Sequence, residues 1–402
     1  MIEKALAELT LNITDGKHGD CRGKDDSGYY FISCKDIREG QIHYEDARQI
    51  IEEDFWDAHK RTRLEPDDIL VTNSGTIGRM AFVRDVPLTY RTTFQKSVAI
   101  VKPDKAKIFP KYLYYQLQNC VDDFINRSNG AAQKNLLLST MRAFKMNIHE
   151  DEDLQMHIAA ILSAYDDLIE NNQKQIKRLE EAAQRLYKEW FVDLRFPGHE
   201  TTPIVDGIPE GWSMCTAGNV IEFNPKTPLK KGCIKQSVPM TALSTSSMVL
   251  NSSEFTMTES NSGAKFRNGD TLLARITPCL ENGKTAFVAG ITSEEGTVGS
   301  TEFIVMRAKK INPYMVYLLA RTEEFRKTAI NSMTGSDGRQ RAQVDKIMQF
   351  PYLLAPQSTL EAFSQLVEPI FEQVYLKNSQ IAQLSQARDR LLPKLMSGEI
   401  EV

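Results

Sequence analysis

The chain has 402 residues, 41% hydrophobic and 25% charged, with a formal net charge of −4 at pH 7. That length has room for two or three domains with real cores, and the composition is ordinary for a globular protein. No apolar stretch approaches the roughly 20 residues that span a bilayer. The start, Met1-Ile2-Glu3-Lys4-Ala5, lacks the basic opening and apolar core of a signal peptide.

In chain order, a first globular unit is expected over residues 1–150. Its strand-like runs are Tyr29-Tyr30-Phe31-Ile32, Ile69-Leu70-Val71 and Ser97-Val98-Ala99-Ile100-Val101, separated by turn residues such as Gly75-Thr76-Ile77-Gly78. Pro110 marks the first turn of a helix reaching about Asn126. Residues 151–208 form a long helix, about Leu154 to Phe191, and a linker. Apolar residues recur there at Ile158, Ile161/Leu162, Tyr165, Leu168/Ile169, Ile176, Leu179, Ala182/Ala183, Leu186 and Trp190, a 3-4 heptad pattern. Asn172 falls in this stripe, where a buried polar residue fixes register. Tyr187, Trp190 and Phe191 at the far end look exposed, suited to sealing the helix against a globular unit or a partner.

A second globular unit is expected over residues 209–350, entered through Ile208-Pro209-Glu210-Gly211-Trp212. It contains the strands Thr271-Leu272-Leu273-Ala274 and Glu302-Phe303-Ile304-Val305-Met306, and a helix from Pro313 to about Asn331. Residues 351–402 carry a second long helix, about Thr359 to Leu395, periodic through Leu360, Phe363, Val367, Ile370/Phe371, Val374, Ile381, Leu384 and Leu391. Leu392 and Leu395 look exposed at its end. Asn378 sits near the stripe, and Pro369 is expected to kink or break the helix.

The two halves repeat one another. Leu64-Glu65-Pro66-Asp67-Asp68-Ile69-Leu70-Val71 returns as Phe266-Arg267-Asn268-Gly269-Asp270-Thr271-Leu272-Leu273, and Asp68 and Asp270 lie 202 residues apart. The same shift takes Pro110-Lys111-Tyr112 to Asn312-Pro313-Tyr314 and Gln155 to Gln357. The expected fold is α+β: two tandem α/β domains separated by two long antiparallel helices, a coiled-coil spacer with pseudo-twofold internal symmetry. A helix of about 38 residues is roughly 57 Å long, equivalent to at most about 17 base pairs of straight duplex. Two similar surfaces at a fixed interval suit an extended ligand with two sites.

The charge is unevenly divided. Residues 1–150 hold 22 basic and 22 acidic side chains, 151–208 hold 6 and 12, 209–350 hold 17 and 13, and 351–402 hold 4 and 6. The acidity sits in the helical segments and the second globular unit is basic, so a nucleic-acid surface on the first unit must be a local patch. Catalytic signals are missing. There is no Gly-x-Gly-x-x-Gly and no Walker loop. The six histidines (His18, His43, His59, His149, His157, His199) lack metal-ligand spacing. The six cysteines contain no Cys-x-x-Cys pair and read as reduced thiols. Asn312-Pro313-Tyr314 lacks the second proline of an adenine-methyltransferase loop and reads as a helix start. Asp68 and Asp270 read as turn residues.

What remains is binding chemistry. Lys and Arg meet phosphates, while Arg, Asn, Gln, Lys, Ser and Thr also reach base edges. In the first unit such residues cluster at Lys17, His18, Lys35, Asn73, Ser74, Arg79, Lys96, Gln133, Lys134 and Asn135. In the second they are Lys226, Thr227, Arg275, Lys284, Ser336, Arg339, Gln340 and Arg341. The polar loops 129–135 and 336–341 follow helices at matching places and are the strongest candidates for DNA contact. No catalytic or metal-binding residue is assigned. Asn172, Leu179, Leu186, Trp190, Phe191, Asn378 and Leu391 are assigned to the helix spacer and partner interface.

Over essentially its whole length the chain resembles the DNA-specificity subunits of type I restriction–modification systems. The resemblance is carried by Gln155-Met156-His157-Ile158-Ala159-Ala160-Ile161-Leu162-Ser163, Asp166-Asp167-Leu168-Ile169-Glu170-Asn171-Asn172 and Leu186-Tyr187-Lys188-Glu189-Trp190-Phe191. The opening Ile208-Pro209-Glu210-Gly211-Trp212 and the ending Leu391-Leu392-Pro393-Lys394-Leu395-Met396-Ser397-Gly398-Glu399-Ile400 also carry it. The family usually has Pro before the first long helix; here Leu154-Gln155 departs from that, while Ala355-Pro356-Gln357 keeps it. The resemblance implies two target-recognition domains that each read half of a bipartite, asymmetric site in double-stranded DNA. It implies a non-catalytic subunit, cytoplasmic and away from membranes. The implied partners are two methyltransferase subunits carrying S-adenosylmethionine and two restriction subunits using ATP and Mg. A specificity subunit whose partner fuses methylation and cleavage, and a coiled-coil adaptor without a DNA role, both stay open on the residues alone.

Overall fold

The computed structural model describes residues 1–402 apart from 131–133, 231, 294–295 and 337. It divides into two compact units. One comprises Met1–Leu168 with Leu384–Val402, and the other Ile169–Gln383.

The core of the first unit is a four-stranded antiparallel sheet. Its order is Thr10–Asp15, Val98–Pro103, Ile69–Thr72, Met80–Phe82. Ile69–Thr72 is buried along its whole length, as expected of a central strand covered on both faces. A second sheet sets Tyr30–Ile32 between Arg48–Gln49 and Thr92–Phe94, parallel to the latter. The strand Ile2–Ala5 pairs with Lys145–Ile148. Tyr112, Leu113, Tyr115 and Leu117 on the helix Pro110–Asn119 fill the core with Ile158 and Leu162 of the first long helix and Leu395 of the second.

The second unit rebuilds this plan. Its main sheet runs Ile221–Phe223, Phe303–Ala308, Thr271–Ala274, Thr285–Phe287, all antiparallel. In its other sheet Lys235–Val238 is parallel to Thr297–Gly299 and antiparallel to Thr256–Thr258. Val101 faces Ile69 in the first unit and Met306 faces Thr271 in the second. The offset between copies is thus 202 residues at Ile69 and Thr271 but 205 at Val101 and Met306. Pro110 and Pro313 each open a helix, so the copies differ there by 203, not the 202 expected. The hairpin loop after Thr271–Ala274 holds the extra residues.

Three helix expectations change. The expected helix 110–126 is two helices, Pro110–Asn119 and Val121–Asn126, separated at Cys120 (φ −101°, ψ 11°). Its counterpart breaks between Pro313–Ala320 and Glu323–Asn331, where the Thr322 hydroxyl caps the second piece by accepting from the Phe325 N–H. Pro369 does not end its helix, which runs unbroken over Gln357–Ser397. The carbonyl that Pro369 leaves unbonded is that of Gln365, and both residues are exposed, so water can satisfy it.

The first long helix spans Glu152–Phe191. In the first unit its start meets the end of the second long helix: Arg388 Nη1 lies 2.7 Å from Asp166 Oδ1, which also belongs to the carboxylate bonded by Tyr115. In the second unit its far end meets the start of the other helix, with the Phe191 and Phe363 rings 4.8 Å apart. The pairing within each unit is therefore antiparallel. Tyr187, Trp190 and Phe191 are buried, not exposed, because Phe363 and Trp212 cover them. Leu395 is buried as well, whereas Leu168, placed in the stripe, is 52% exposed. Asn172 is buried in the stripe; Leu179, Leu186, Asn378 and Leu391 are half-buried.

Candidate nucleic-acid interface

The main sheet presents one end as a cluster of loops in both units, because its strands alternate in direction. In the first unit Thr10–Asp15 and Ile69–Thr72 finish where Met80–Phe82 and Val98–Pro103 begin. This end carries Lys17, His18, Asn73, Ser74, Arg79 and Lys96, which are scattered in sequence. The backbone ties them: the Lys96 N–H donates to Lys17 O (3.1 Å) and the Asn73 N–H to Ser97 O (3.1 Å).

The loop after Val121–Asn126 is folded onto the same end. Asn129 and Asn135 exchange two backbone bonds (2.9 and 2.8 Å). The Leu136 N–H then donates to Asn73 O (2.8 Å) and the Gly75 N–H to Lys134 O (3.3 Å). Lys134 and Asn135 thereby join the cluster; Gln133 lies outside the described residues. Lys35 is exposed in the short turn Cys34–Asp36, whose Cys34 Sγ would lie 3.4 Å from a Cβ added at Gly75.

The second unit repeats these bonds with other side chains. Ile221–Phe223 leads into Lys226 and Thr227, Thr271–Ala274 into Arg275, and Lys284 precedes Thr285–Phe287. Thr334 and Arg341 exchange backbone bonds (3.1 and 2.9 Å), the Ala342 N–H donates to Arg275 O (2.8 Å), and the Thr277 N–H to Gln340 O (3.1 Å). Arg275 therefore stands where Asn73 stands in the first unit. Ser336 and Arg339 are exposed on this loop, and Asp337 lies outside the described residues.

Pairing sorts the candidates. Lys17 is held by Asp57 (2.7 Å), which raises its ammonium pKa above the usual lysine value, and His18 by Asp15 (3.0 Å). Arg341 clasps Glu302 with two nitrogens (2.9 and 2.7 Å) and holds that carboxyl below its usual range. Lys284 donates to Met240 O (3.0 Å), and the Thr227 hydroxyl accepts from Arg307 (2.9 Å). Lys35, Arg79, Lys96, Lys134, Lys226 and Arg339 are exposed and make no ion pair among the described residues. Asn73 is buried, and its Oδ1 and the adjoining Ser97 Oγ have no hydrogen-bond partner; neither has Arg275 Nε.

Lys265, Ser97 and Glu302 were not singled out by sequence. Ser97 and Glu302 occupy matching places, since the Asn73 and Arg275 N–H groups bond to their respective carbonyls. Aligning the copies at the 205-residue offset would have paired them. Among the described residues no group of three or more His, Cys, Asp or Glu is placed to hold a metal ion, and no helix is long and apolar enough to cross a membrane.

Residues 21–181 match the type I restriction modification DNA specificity domain. The chain is 27% identical over 345 residues to the type I restriction enzyme MjaIX specificity subunit of Methanocaldococcus jannaschii, covering 83% of this chain and 78% of that protein. The chain is thus similar to type I specificity subunits over most of its length. A more local match, 32% identical over 171 residues, joins it to the EcoAI specificity subunit of Escherichia coli; this takes in 40% of the chain but 28% of that relative. The crystal structure of a type I restriction–modification S subunit from M. genitalium has the same fold, with a TM-score of 0.55 at 14% identity over 98% of this chain and 96% of that one.

The paired Asp turns hold their own loops together. The Asp68 carboxylate accepts from the Glu65 N–H (2.7 Å) and from Lys102 Nζ (2.6 Å). Asp270 accepts from the Arg267 N–H (2.9 Å) and from two Arg307 nitrogens (both 2.7 Å). The expected turn role is thus joined by a buried ion pair in each unit. Burial outweighs the Lys102 ammonium and pushes the Asp68 carboxyl up to about 6.

Proposed function

We propose that this specificity subunit reads a bipartite, asymmetric site in double-stranded DNA, with each unit contacting one half. The loops at the shared sheet end do the reading, and the two long helices set the interval. The observation that carries this is a repetition with substitution. The backbone bonds that fix Asn73 to Ser97 and Leu136 recur at Arg275, Glu302 and Ala342, while neutral Asn73 and Ser97 give way to charged Arg275 and Glu302. One scaffold presenting two different polar surfaces is what two unlike half-sites require.

The domain division that supports this reading is residues 1–150 and 209–350 for DNA, with 151–208 and 351–402 as the spacer. The loop residues named above are its proposed contacts. In this reading the chain itself supplies recognition only. It assembles with two methyltransferase subunits, which carry S-adenosylmethionine, and with two restriction subunits, which use ATP and Mg.

The test is methylome sequencing of cells expressing the chain with its cognate methyltransferase, against cells with the methyltransferase alone. Methyladenine at a split motif only when the chain is present is the expected result. No new modification from a complex shown to assemble overturns the proposal.

A further inference from the structure

The structure carries a cationic groove in the second unit whose matching positions in the first unit are occupied differently. It has a volume of about 460 Å³, and Lys226, Lys265 and Arg275 line it together with Thr227, Thr301 and Phe303. None of its lining residues is acidic. None of the three cations makes a hydrogen bond or ion pair through its side chain among the described residues, and Arg275 Nε is buried without a partner. Gly263 also lines it, with φ +106°; a Cβ there would meet Gly299 O at 2.1 Å, so only glycine lets these strands close up along the groove.

The first unit answers each of these positions differently. Ile13 faces Val101 as Phe223 faces Met306, so Gly16 corresponds to Lys226. A Cβ at Gly16 would lie 2.1 Å from Phe94 O, and the Lys17 N–H bonds that carbonyl, so the chain closes where the groove opens in the second unit. Arg63, at the 202-residue offset from Lys265, lies 3.3 Å from Glu65. Arg275 is replaced by neutral Asn73. At these three positions the first unit carries a glycine, a paired arginine and an asparagine, where the second carries three cations without ion pairs among the described residues.

We infer that this groove cradles a backbone phosphate of the bound duplex, a salt-dependent contact that the matching positions of the first unit do not offer. A recessed guanidinium flanked by two ammonium groups and a hydroxyl suits a protruding phosphodiester; base edges are met by side chains that project. The inference rests on the DNA-reading proposal above and adds to it a division of labour between the units.

The experiment is a binding titration of the full chain against its methylated target duplex and a scrambled duplex, from 50 to 300 mM KCl. Wild type is compared with Arg275→Gln, Lys265→Gln and Arg275→Lys, with thermal unfolding of each as a control on folding. The two glutamine variants are expected to lower affinity for both duplexes alike and to reduce the salt slope by about 0.9 per lost phosphate contact. Arg275→Lys keeps the slope, and the methylated motif stays the same in every variant. Relaxed preference at one base of the motif would make Arg275 a base reader and overturn the inference. An unchanged slope in folded protein would also overturn it. If wild type itself does not prefer its target over the scrambled duplex, the failure lies in the DNA-reading proposal.

Discussion

The turn before the central strand is built twice, with Lys102 in one unit and Arg307 in the other. Both carboxylates are nearly inaccessible, with side-chain exposures of 6% for Asp68 and 1% for Asp270. Lys102 is a point charge that also reaches Glu65 (3.0 Å), whereas Arg307 grips Asp270 with a two-nitrogen fork. The lesson is that a turn position fixes the acid but not the strength of its pairing. The lysine version leaves the acid partly open to protonation, and the arginine version adds a two-nitrogen clasp.

That contrast can be broken most severely at Asp270. Asp270→Ala strands a half-buried guanidinium, and its expected cost is about 3 kcal/mol in chemical denaturation. Asp68→Ala should cost less, about 1–3 kcal/mol, because Lys102 keeps Glu65 as a partner. Equal losses would show that the fork adds nothing.

A pH series sharpens the same comparison. The folded pKa of Asp68 is raised to about 6 from the ordinary 3.8, so the folded state holds this proton more tightly than the unfolded chain. The resulting stability is complete below about pH 4 and is lost as pH rises to about 6, at most ~3 kcal/mol. Asp68→Asn should flatten that part of the profile. A slope that persists in the variant would place the proton elsewhere.

A smaller effect is expected at the sheet ends. Glu302→Gln removes a half-exposed pair worth about 0.2–1 kcal/mol, so melting should barely move. It also frees Arg341, and the salt slope of DNA binding should steepen by about 0.9. An unchanged slope would remove Arg341 from the interface. Exchange of residues 209–350 for the matching segment of a type I specificity subunit completes the series. It should change one half of the methylated motif and leave the other half intact.

Much of the fold is legible in the residues. The repeated Asp turn, Thr271-Leu272-Leu273-Ala274 as a strand and both long helices follow from local patterning, which fixes period and polarity within a few residues. The candidate site is only partly legible. The loops 129–135 and 336–341 are polar and matched in sequence, and their described residues next to Leu136 and Ala342 sit at the corresponding sheet end of each unit. Their side-chain states are not legible, because the deciding partners are distant: Lys17 meets Asp57 across 40 residues and Arg341 meets Glu302 across 39.

By itself, then, the sequence determined the repeat, its two long helices and the residue types offered to a ligand, since these depend on short-range spacing. Tertiary structure decided which of those residues are spent on internal pairing. It also decided whether Tyr187, Trp190 and Phe191 face solvent or core, and whether Gly16 or Lys226 closes or opens a groove. Such outcomes depend on which strands become neighbours, and that is a property of the folded chain's long-range contacts rather than of any window along it.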